Sequence, residues 1–129
     1  MANVHTEQIL LDGDRNVFVK CVGVLDTSNQ ALIDIVDPVS LLPVPTRLRI
    51  DEIEYSITDQ LSVQILWKAT TDVVAVVLAG RGELCAKKQG GLINNAGVGV
   101  NGIIRLQTTG WASGTQTYTL LLKLVKQGV

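Results

Sequence analysis

Histidine, cysteine, proline and aromatic residues are all scarce in this chain, and each scarcity removes a class of function. The sequence has one histidine, two cysteines and three prolines, and only 4% of its residues are aromatic. A Ser–His–Asp triad would have to use His5, and no nucleophile-elbow sequence is present. No cysteine or second histidine stands near His5 in the sequence, so the spacing does not predict a zinc site. We therefore predict no enzyme, with no catalytic residues, no metal, no cofactor and no small-molecule substrate.

The chain also lacks a large excess of positive or of negative charge. Eleven Lys and Arg residues face twelve Asp and Glu residues, and Lys87-Lys88 is the only adjacent cationic pair. Domains that bind nucleic acid usually show a clustered basic face. We therefore expect no nucleic-acid partner.

Long apolar runs are absent as well. The most apolar run is VVAVVLA at 73–79, which is far shorter than the roughly 20 residues of a membrane helix. The first residues, MANVHTEQILLDGDR, lack the basic start and apolar stretch of a signal peptide. These features predict a protein made in the cytoplasm with no membrane partner. In that compartment Cys21 and Cys85 are expected to be buried thiols, although a disulfide between them stays possible.

Helical periodicity is almost absent, and alternation of apolar and polar residues dominates. Apolar residues make up 47% of the 129 residues, which is enough for one core and leaves some apolar side chains for an interface. We predict one domain, 1–129, that is all-β with little or no helix. Its eight or nine strands are expected to form an antiparallel β-sandwich resembling a jelly roll, with residues 1–14 as an extended N-terminal segment.

Two regions give the sharpest strand predictions. Residues 15–25 are apolar on both faces, which predicts a strand that is central or covered. In 46–58 the apolar phase slips at Asp51-Glu52, which predicts a β-bulge or a strand that crosses between sheets. We expect the acidic residues around this slip (Asp51, Glu52 and Glu54) to form a solvated strand edge.

The segments that follow complete the predicted strand pattern. Residues 61–68 are expected to pair with 46–58 as a hairpin. Residues 73–79 are expected to be a buried strand, and 115–126 a long final strand with Tyr118, Leu120, Leu122 and Leu124 facing inward. Residues 38–45, which hold all three prolines, are expected to be an extended connection.

The glycine-rich segment 90–102 contains a formal G-x-G-x-x-G match at Gly97, Gly99 and Gly102. A dinucleotide site needs a helix after this turn, to direct amide groups at the pyrophosphate. Here the match is followed by IIRLQTT, which alternates like a strand. The segment therefore predicts a loop that packs closely against its own sheet or a neighbouring subunit.

Three segments together resemble small virion structural proteins of tailed bacteriophages. They are KCVGVLDTSN (20–29), LRIDEIEYSITDQLSVQILWKATT (48–71) and GGLINNAGVGVNGIIRLQTTGWASGTQTYTLLLKLVKQ (90–127). The resemblance implies a non-enzymatic capsid decoration or cement protein that binds the outer head surface between major capsid proteins. It further implies a homo-oligomer, most often a trimer, located on the virion after synthesis in the host cytoplasm.

Under this resemblance we predict contact regions at 1–14, 38–45 and 90–102. The predicted interface residues are Pro38, Pro43, Pro45, Gly90, Gly91, Leu92, Ile93, Asn94, Asn95 and Trp111. The first alternative is a tail, neck or tail-tube protein of the virion. The second is a carbohydrate-binding β-sandwich that uses Trp111 or Tyr118 as its aromatic platform.

Overall fold

The computed structural model describes residues 3–41, 44–58, 61–99 and 102–127, without the side chain of Lys88. Within these residues the chain is all-β, and its helical turns are two 3-10 turns at Pro38–Ser40 and Lys87–Gln89. None of the described helices is long and apolar enough to span a membrane. The strands are β1 Val4–Asp12, β2 Asn16–Leu25, β3 Ile33–Val36, β4 Arg47–Ile57, β5 Ser62–Trp67, β6 Val73–Ala79, β7 Arg81–Cys85, β8 Ile104–Thr109 and β9 Gln116–Gln127.

Two antiparallel sheets form the sandwich. Their strand orders are β1-β2-β9-β4-β7 and β3-β8-β5-β6. The pairs β2·β9, β3·β8, β4·β7 and β5·β6 show that strands β2–β5 pair in reverse order with β6–β9. One long antiparallel ribbon is thus rolled into two layers, which is the connectivity of a jelly roll. The predicted all-β, jelly-roll-like sandwich is confirmed.

The core lies between the two sheets and is built by the alternation read from the sequence. On β9 the predicted inward set from Tyr118 to Leu124 is buried, and on β5 Val63, Ile65 and Trp67 are buried opposite it. Strand β2 lies between β1 and β9, as predicted for 15–25. Burial of side chains of this size stabilises the fold by about 1.5–3 kcal/mol each, so the alternation fixes which face of each strand turns inward.

The predicted bulge in β4 is confirmed. The register of β4 against β9 shifts between Ile50 and Glu52, which leaves Asp51 as the extra residue. The prediction of a solvated strand edge is wrong, because β4 lies between β9 and β7 and Asp51 is only 7% exposed. Its carboxylate is paired with the Arg49 guanidinium at 2.7 Å, which offsets the cost of burying the charge.

The hairpin predicted for 46–58 and 61–68 is wrong. Strand β4 belongs to the five-stranded sheet and β5 to the four-stranded sheet. The chain therefore passes from one layer to the other between the end of β4 at Ile57 and the start of β5 at Ser62. A turn sequence shows that the chain reverses direction, but it does not show which strand becomes the hydrogen-bonded neighbour.

Strand β6 is also not the buried strand predicted for 73–79. It pairs only with β5, at the outer edge of its sheet. Val74 is 47% exposed and Val77 is 54% exposed. An apolar β-branched run is typical of a central strand, so the sequence of 73–79 does not distinguish this edge strand from a buried one.

Strand connections alternate between two ends of the sandwich. We call the end that carries the described residues of 37–46, 68–72 and 86–103 the glycine end. We call the opposite end, which carries the described residues of 26–32, 58–61 and 110–115, the amide end. The glycine end carries the two longest connections, and both belong to the contact regions predicted from the sequence.

Candidate functional site

Exposed apolar side chains are concentrated in the predicted contact regions. Eight of the eleven large apolar residues exposed in the described chain lie there. These eight are Val4, Ile9, Leu10, Leu11, Val39, Val44, Ile93 and Val98. Isolated exposed apolar residues are ordinary on protein surfaces, but clustering in three segments favours a contact surface.

The glycine-rich segment is anchored to the sandwich by its backbone. Leu92 forms an isolated antiparallel bridge with Ile50, with N–H···O bonds of 2.7 and 3.0 Å. Further along, the Thr70 amide donates to the Val98 carbonyl at 2.9 Å. These bonds hold the segment across the end of the sandwich. They leave Ile93 53% exposed and Val98 86% exposed.

The other predicted residues of this segment have different surroundings. Gly90 and Asn95 are exposed, whereas Asn94 is buried. Gly91 has a φ of +82°, and an added Cβ would meet Arg49 and the Asp51 carboxylate. Glycine is therefore required here for close packing as well as for backbone conformation.

The proline segment turns its proline rings inward. Pro38 and Pro45 are buried, while Val39 is 72% exposed and Val44 is 47% exposed. The Asp37 carboxylate accepts a hydrogen bond from the Val39 amide at 3.1 Å, which caps the 3-10 turn. Among the described residues of this segment, Val39 and Val44 are the exposed large apolar side chains.

The third predicted residue of the proline segment, Pro43, lies outside the described residues. The segment itself meets the glycine-rich segment at Gly102. An added Cβ at Gly102 would lie 2.9 Å from Pro38 Cγ and 2.9 Å from the Thr46 carbonyl oxygen. The structure therefore brings the predicted regions 38–45 and 90–102 together at the glycine end.

Trp111 lies at the amide end, away from both of these regions. Its indole N–H donates to the Gly114 carbonyl at 3.0 Å, and its backbone N–H donates to Asn29 Oδ1 at 2.9 Å. The ring is half-buried against the core. Trp111 therefore does not share a surface with the other predicted interface residues.

The structure bears on two ligand-binding interpretations that were weighed from the sequence, a carbohydrate platform and a dinucleotide site. Tyr118 is fully buried, so it cannot serve as a carbohydrate platform. After Gly102, the chain continues into β8 at Ile104 with no helix between them in the described residues. The glycine match therefore has no helix terminus to bind a pyrophosphate, as the sequence predicted.

The N-terminal segment is not a loose extension, because residues 4–12 form edge strand β1 against β2. His5 therefore sits in a strand and not in a mobile terminus. In the antiparallel register Glu7 lies opposite Cys21 and His5 lies opposite Gly23. Directly opposite residues share a face of the sheet, so the two β1 side chains turn toward the same side as the buried thiol.

We call His5, Glu7, Cys21 and Tyr118 the His5 cluster. His5 Nδ1 is hydrogen-bonded to the Tyr118 hydroxyl at 2.6 Å, and His5 Nε2 lies 3.3 Å from a Glu7 carboxylate oxygen. The Tyr118 ring reaches His5 by crossing Gly23, where any Cβ would overlap it. Within the described chain, His5, Glu7 and Cys21 form the group of three side chains that could hold a metal ion.

The electrostatics of the cluster follow from its burial. Loss of solvent, reinforced by the nearby Glu7 charge, raises the pKa of the Cys21 thiol to about 12. Burial likewise raises the pKa of Tyr118 above its usual value, with smaller contributions from Cys21 and Glu7. Without a cation both groups stay protonated at neutral pH, so the thiol is unreactive as it stands.

The two cysteines differ, which corrects the prediction of two buried thiols. Cys21 is fully buried and Cys85 is exposed on edge strand β7, and both are free. The prediction failed for Cys85 because its strand-like surroundings do not reveal that β7 is an edge strand whose outward face meets solvent.

The sequence prediction missed the His5 cluster because it considered only neighbours along the chain. A usable signal was present: His5 and Glu7 stand two residues apart, a spacing that places both on one face of a strand. What the spacing could not show is that Cys21 lies opposite them, since that depends on the β1–β2 register.

No protein family and no curated protein matches this chain. Among solved structures, the chain is similar to a cupin superfamily protein from Desulfitobacterium hafniense DCB-2, with 11% identity over 98% of this chain and 81% of that protein and a TM-score of 0.35. At this level the match carries no inference about activity.

Proposed function

We propose that this chain is a structural protein of a tailed-phage virion, and specifically a capsid decoration protein that binds the outer surface of the head. The observation that carries the proposal is the placement of exposed apolar side chains at the regions that the phage resemblance predicts as contacts. Val39 and Val98, at 72% and 86% exposed, stand on backbone segments fixed by hydrogen bonds. Rigid apolar groups of this kind lose little conformational entropy when a partner covers them.

Two separate surfaces serve two contacts in this proposal. The glycine end, with Val39 and Val98, contacts the major capsid protein. The exposed edge of β6, with Val74 and Val77, contacts other copies of the chain in a closed homo-oligomer such as a trimer. An uncharged edge strand can pair with another chain through its free backbone groups.

The test is binding of the purified protein to expanded phage heads and, separately, to tails. We expect the wild-type protein to be oligomeric by light scattering and to bind heads. Val98→Asp should weaken head binding by about tenfold or more, because a desolvated contact is worth about 1–3 kcal/mol, and should leave the oligomer intact. Val77→Lys should break the oligomer, because a lysine on an edge strand opposes pairing.

Ala112→Asp is the matched control for Val98→Asp. Ala112 is also exposed, but it lies at the amide end, so the same new charge should leave head binding unchanged. A monomeric protein without affinity for heads would refute the proposal. Binding to tails alone would refute the decoration role and favour a tail, neck or tube protein.

A further inference from the structure

The His5 cluster is built by strand register and not by chance proximity on a mobile surface. His5 and Glu7 are alternate residues of β1, and Cys21 lies directly opposite Glu7 on β2. Gly23 lies opposite His5, and its missing side chain admits the Tyr118 ring. Three hydrogen-bonded strands thus fix the positions of all four side chains.

The distances within this cluster are close to those of a metal site. The ligand atoms of His5, Glu7 and Cys21 all lie within 4.8 Å of one another, and His5 Nε2 is 3.3 Å from the Glu7 carboxylate. A tetrahedral Zn²⁺ ion with bonds of about 2.0–2.3 Å places its ligand atoms about 3.3–3.8 Å apart. Binding therefore requires the most distant ligand atoms to approach by about 1 Å, from 4.8 Å to the tetrahedral spacing.

We propose that His5, Glu7 and Cys21 bind one divalent ion of borderline softness, of the Zn²⁺ class, on the inner side of β1. Imidazole, carboxylate and thiolate together select Zn²⁺ or Co²⁺ over Mg²⁺, which prefers oxygen ligands alone. His5 coordinates through Nε2, and its Nδ1 keeps the hydrogen bond to Tyr118, which fixes the tautomer and the ring orientation. The metal replaces the thiol proton of Cys21, and that proton leaves to solvent.

An ion can reach this site from one side. The side chain of Glu7 is 41% exposed and that of His5 is 11% exposed, whereas Cys21 is fully buried behind them. Glu7 also lines a cleft of about 410 Å³ between β1 and the β3 region, together with Asp34 and Asp37. Solvent in this cleft can reach Glu7 and supply a water molecule for the fourth coordination position.

A chain of hydrogen bonds from Tyr118 through neutral His5 to Glu7 would explain two of the contacts without any metal. That explanation assigns no role to Cys21. Dependence of cation binding on the Cys21 thiol therefore distinguishes the metal site from a hydrogen-bonded chain.

The experiment is titration of the full-length, chelator-treated and reduced protein with Co²⁺. We expect one Co²⁺ per chain, with a near-ultraviolet thiolate-to-cobalt charge-transfer band that Zn²⁺ abolishes and Mg²⁺ does not. Cys21→Ala should remove the band, and Cys85→Ser should keep it. Zn²⁺ should also raise the Tm progressively with its concentration, because it binds the folded state.

Glu7→Gln and His5→Gln keep the test decisive if Cys21→Ala fails to fold. Glu7 lies on the exposed side of the cluster, so Glu7→Gln should melt like the wild type without metal and bind Co²⁺ at least about tenfold more weakly. Absence of the band in the wild-type protein would overturn the proposal. A band that is lost in Cys85→Ser and kept in Cys21→Ala would also overturn it, because the metal would then be bound at the exposed β7 thiol.

Discussion

The two ends of the sandwich fasten their strand connections with different chemistry. At the amide end asparagine side chains predominate: Asn3 Oδ1 accepts from the amides of Asp26 and Thr27 at 2.8 and 3.0 Å, and Asn29 Oδ1 accepts from the amide of Trp111. One carboxylate also contributes there, because Asp26 Oδ1 accepts a hydrogen bond from the Thr115 hydroxyl at 2.6 Å. At the glycine end ionised groups predominate. Examples are the Arg49–Asp51 pair, the Lys126–Asp12 pair and the Asp72 carboxylate, which binds the Ala69 amide and Arg105.

The ends also differ in what they present to solvent. The short connections of the amide end satisfy backbone groups with side chains. Among their described residues, the exposed large apolar side chain is that of Leu32, which is 39% exposed. The long connections of the glycine end carry Val39, Val44, Ile93 and Val98 outward. The glycine end thus exposes more large apolar side chains than the amide end, which is the difference expected under the proposal that it contacts a partner.

Glycine substitutions should show the largest difference between the ends. Gly102, at the glycine end, and Gly114, at the amide end, both have positive φ, at +81° and +71°. An added Cβ at Gly102 would lie 2.9 Å from a backbone oxygen, whereas at Gly114 it would meet nothing within 4 Å. Gly102→Ala should therefore cost about 3 kcal/mol and Gly114→Ala about 1 kcal/mol of unfolding free energy.

Urea denaturation of the two variants measures this difference. Both substitutions strain the backbone, because both glycines have positive φ. The additional loss of unfolding free energy in Gly102→Ala therefore measures how closely segments 38–45 and 90–102 pack. Equal losses would mean that the glycine end is packed no more closely than the amide end.

Removing a neutral cap should have an intermediate effect. Asn29→Ala leaves the Trp111 amide without its acceptor and should lower the unfolding free energy by about 0.5–1.5 kcal/mol. Asn95→Ala, an exposed asparagine of the glycine-rich segment, should change it by less than about 0.5 kcal/mol. Thermal melting of both variants is the measurement, and a larger loss for Asn95→Ala would reverse the roles assigned to the two ends.

Acid should weaken the Asp72 contacts at the glycine end, and this effect is expected to be the smallest. The hydrogen bond from the Ala69 amide, with a further contribution from Arg105, holds the pKa of Asp72 below its usual value. A lowered pKa in the folded state means that the stabilisation is present above the unfolded-state pKa and is lost as the pH falls through the folded-state value.

The measurement is unfolding free energy against pH for the wild type and for Asp72→Asn. The difference between the two proteins should be constant from neutral pH down to about pH 4, the ordinary aspartate pKa, and should shrink below it. The amide-end variant Asn29→Ala provides the control, because an amide does not titrate. If the difference in unfolding free energy between Asp72→Asn and the wild type stayed constant at low pH, it would contradict the stabilisation assigned to the ionised Asp72 carboxylate.

Strand positions and inward faces could be predicted from the sequence because alternation is a local property. The buried residues of β5 and β9 and the bulge at Asp51 follow directly from it. The hairpin prediction for 46–58 and 61–68 failed because turn residues do not specify the neighbouring strand. The exposed edge of β6 was missed for the same reason, since composition does not show whether a strand has one neighbour or two.

The amino-acid sequence by itself determined the all-β class, the inward side of strands with clear alternation such as β5 and β9, and the segments rich in glycine and proline, because each depends on residues adjacent in the chain. Only the tertiary structure decided that β4 and β5 lie in opposite sheets, that the segments 38–45 and 90–102 meet at one end, and that Cys21 lies beside His5 and Glu7. These features depend on pairing between strands far apart in sequence, whose register is set by the packing of the whole sandwich.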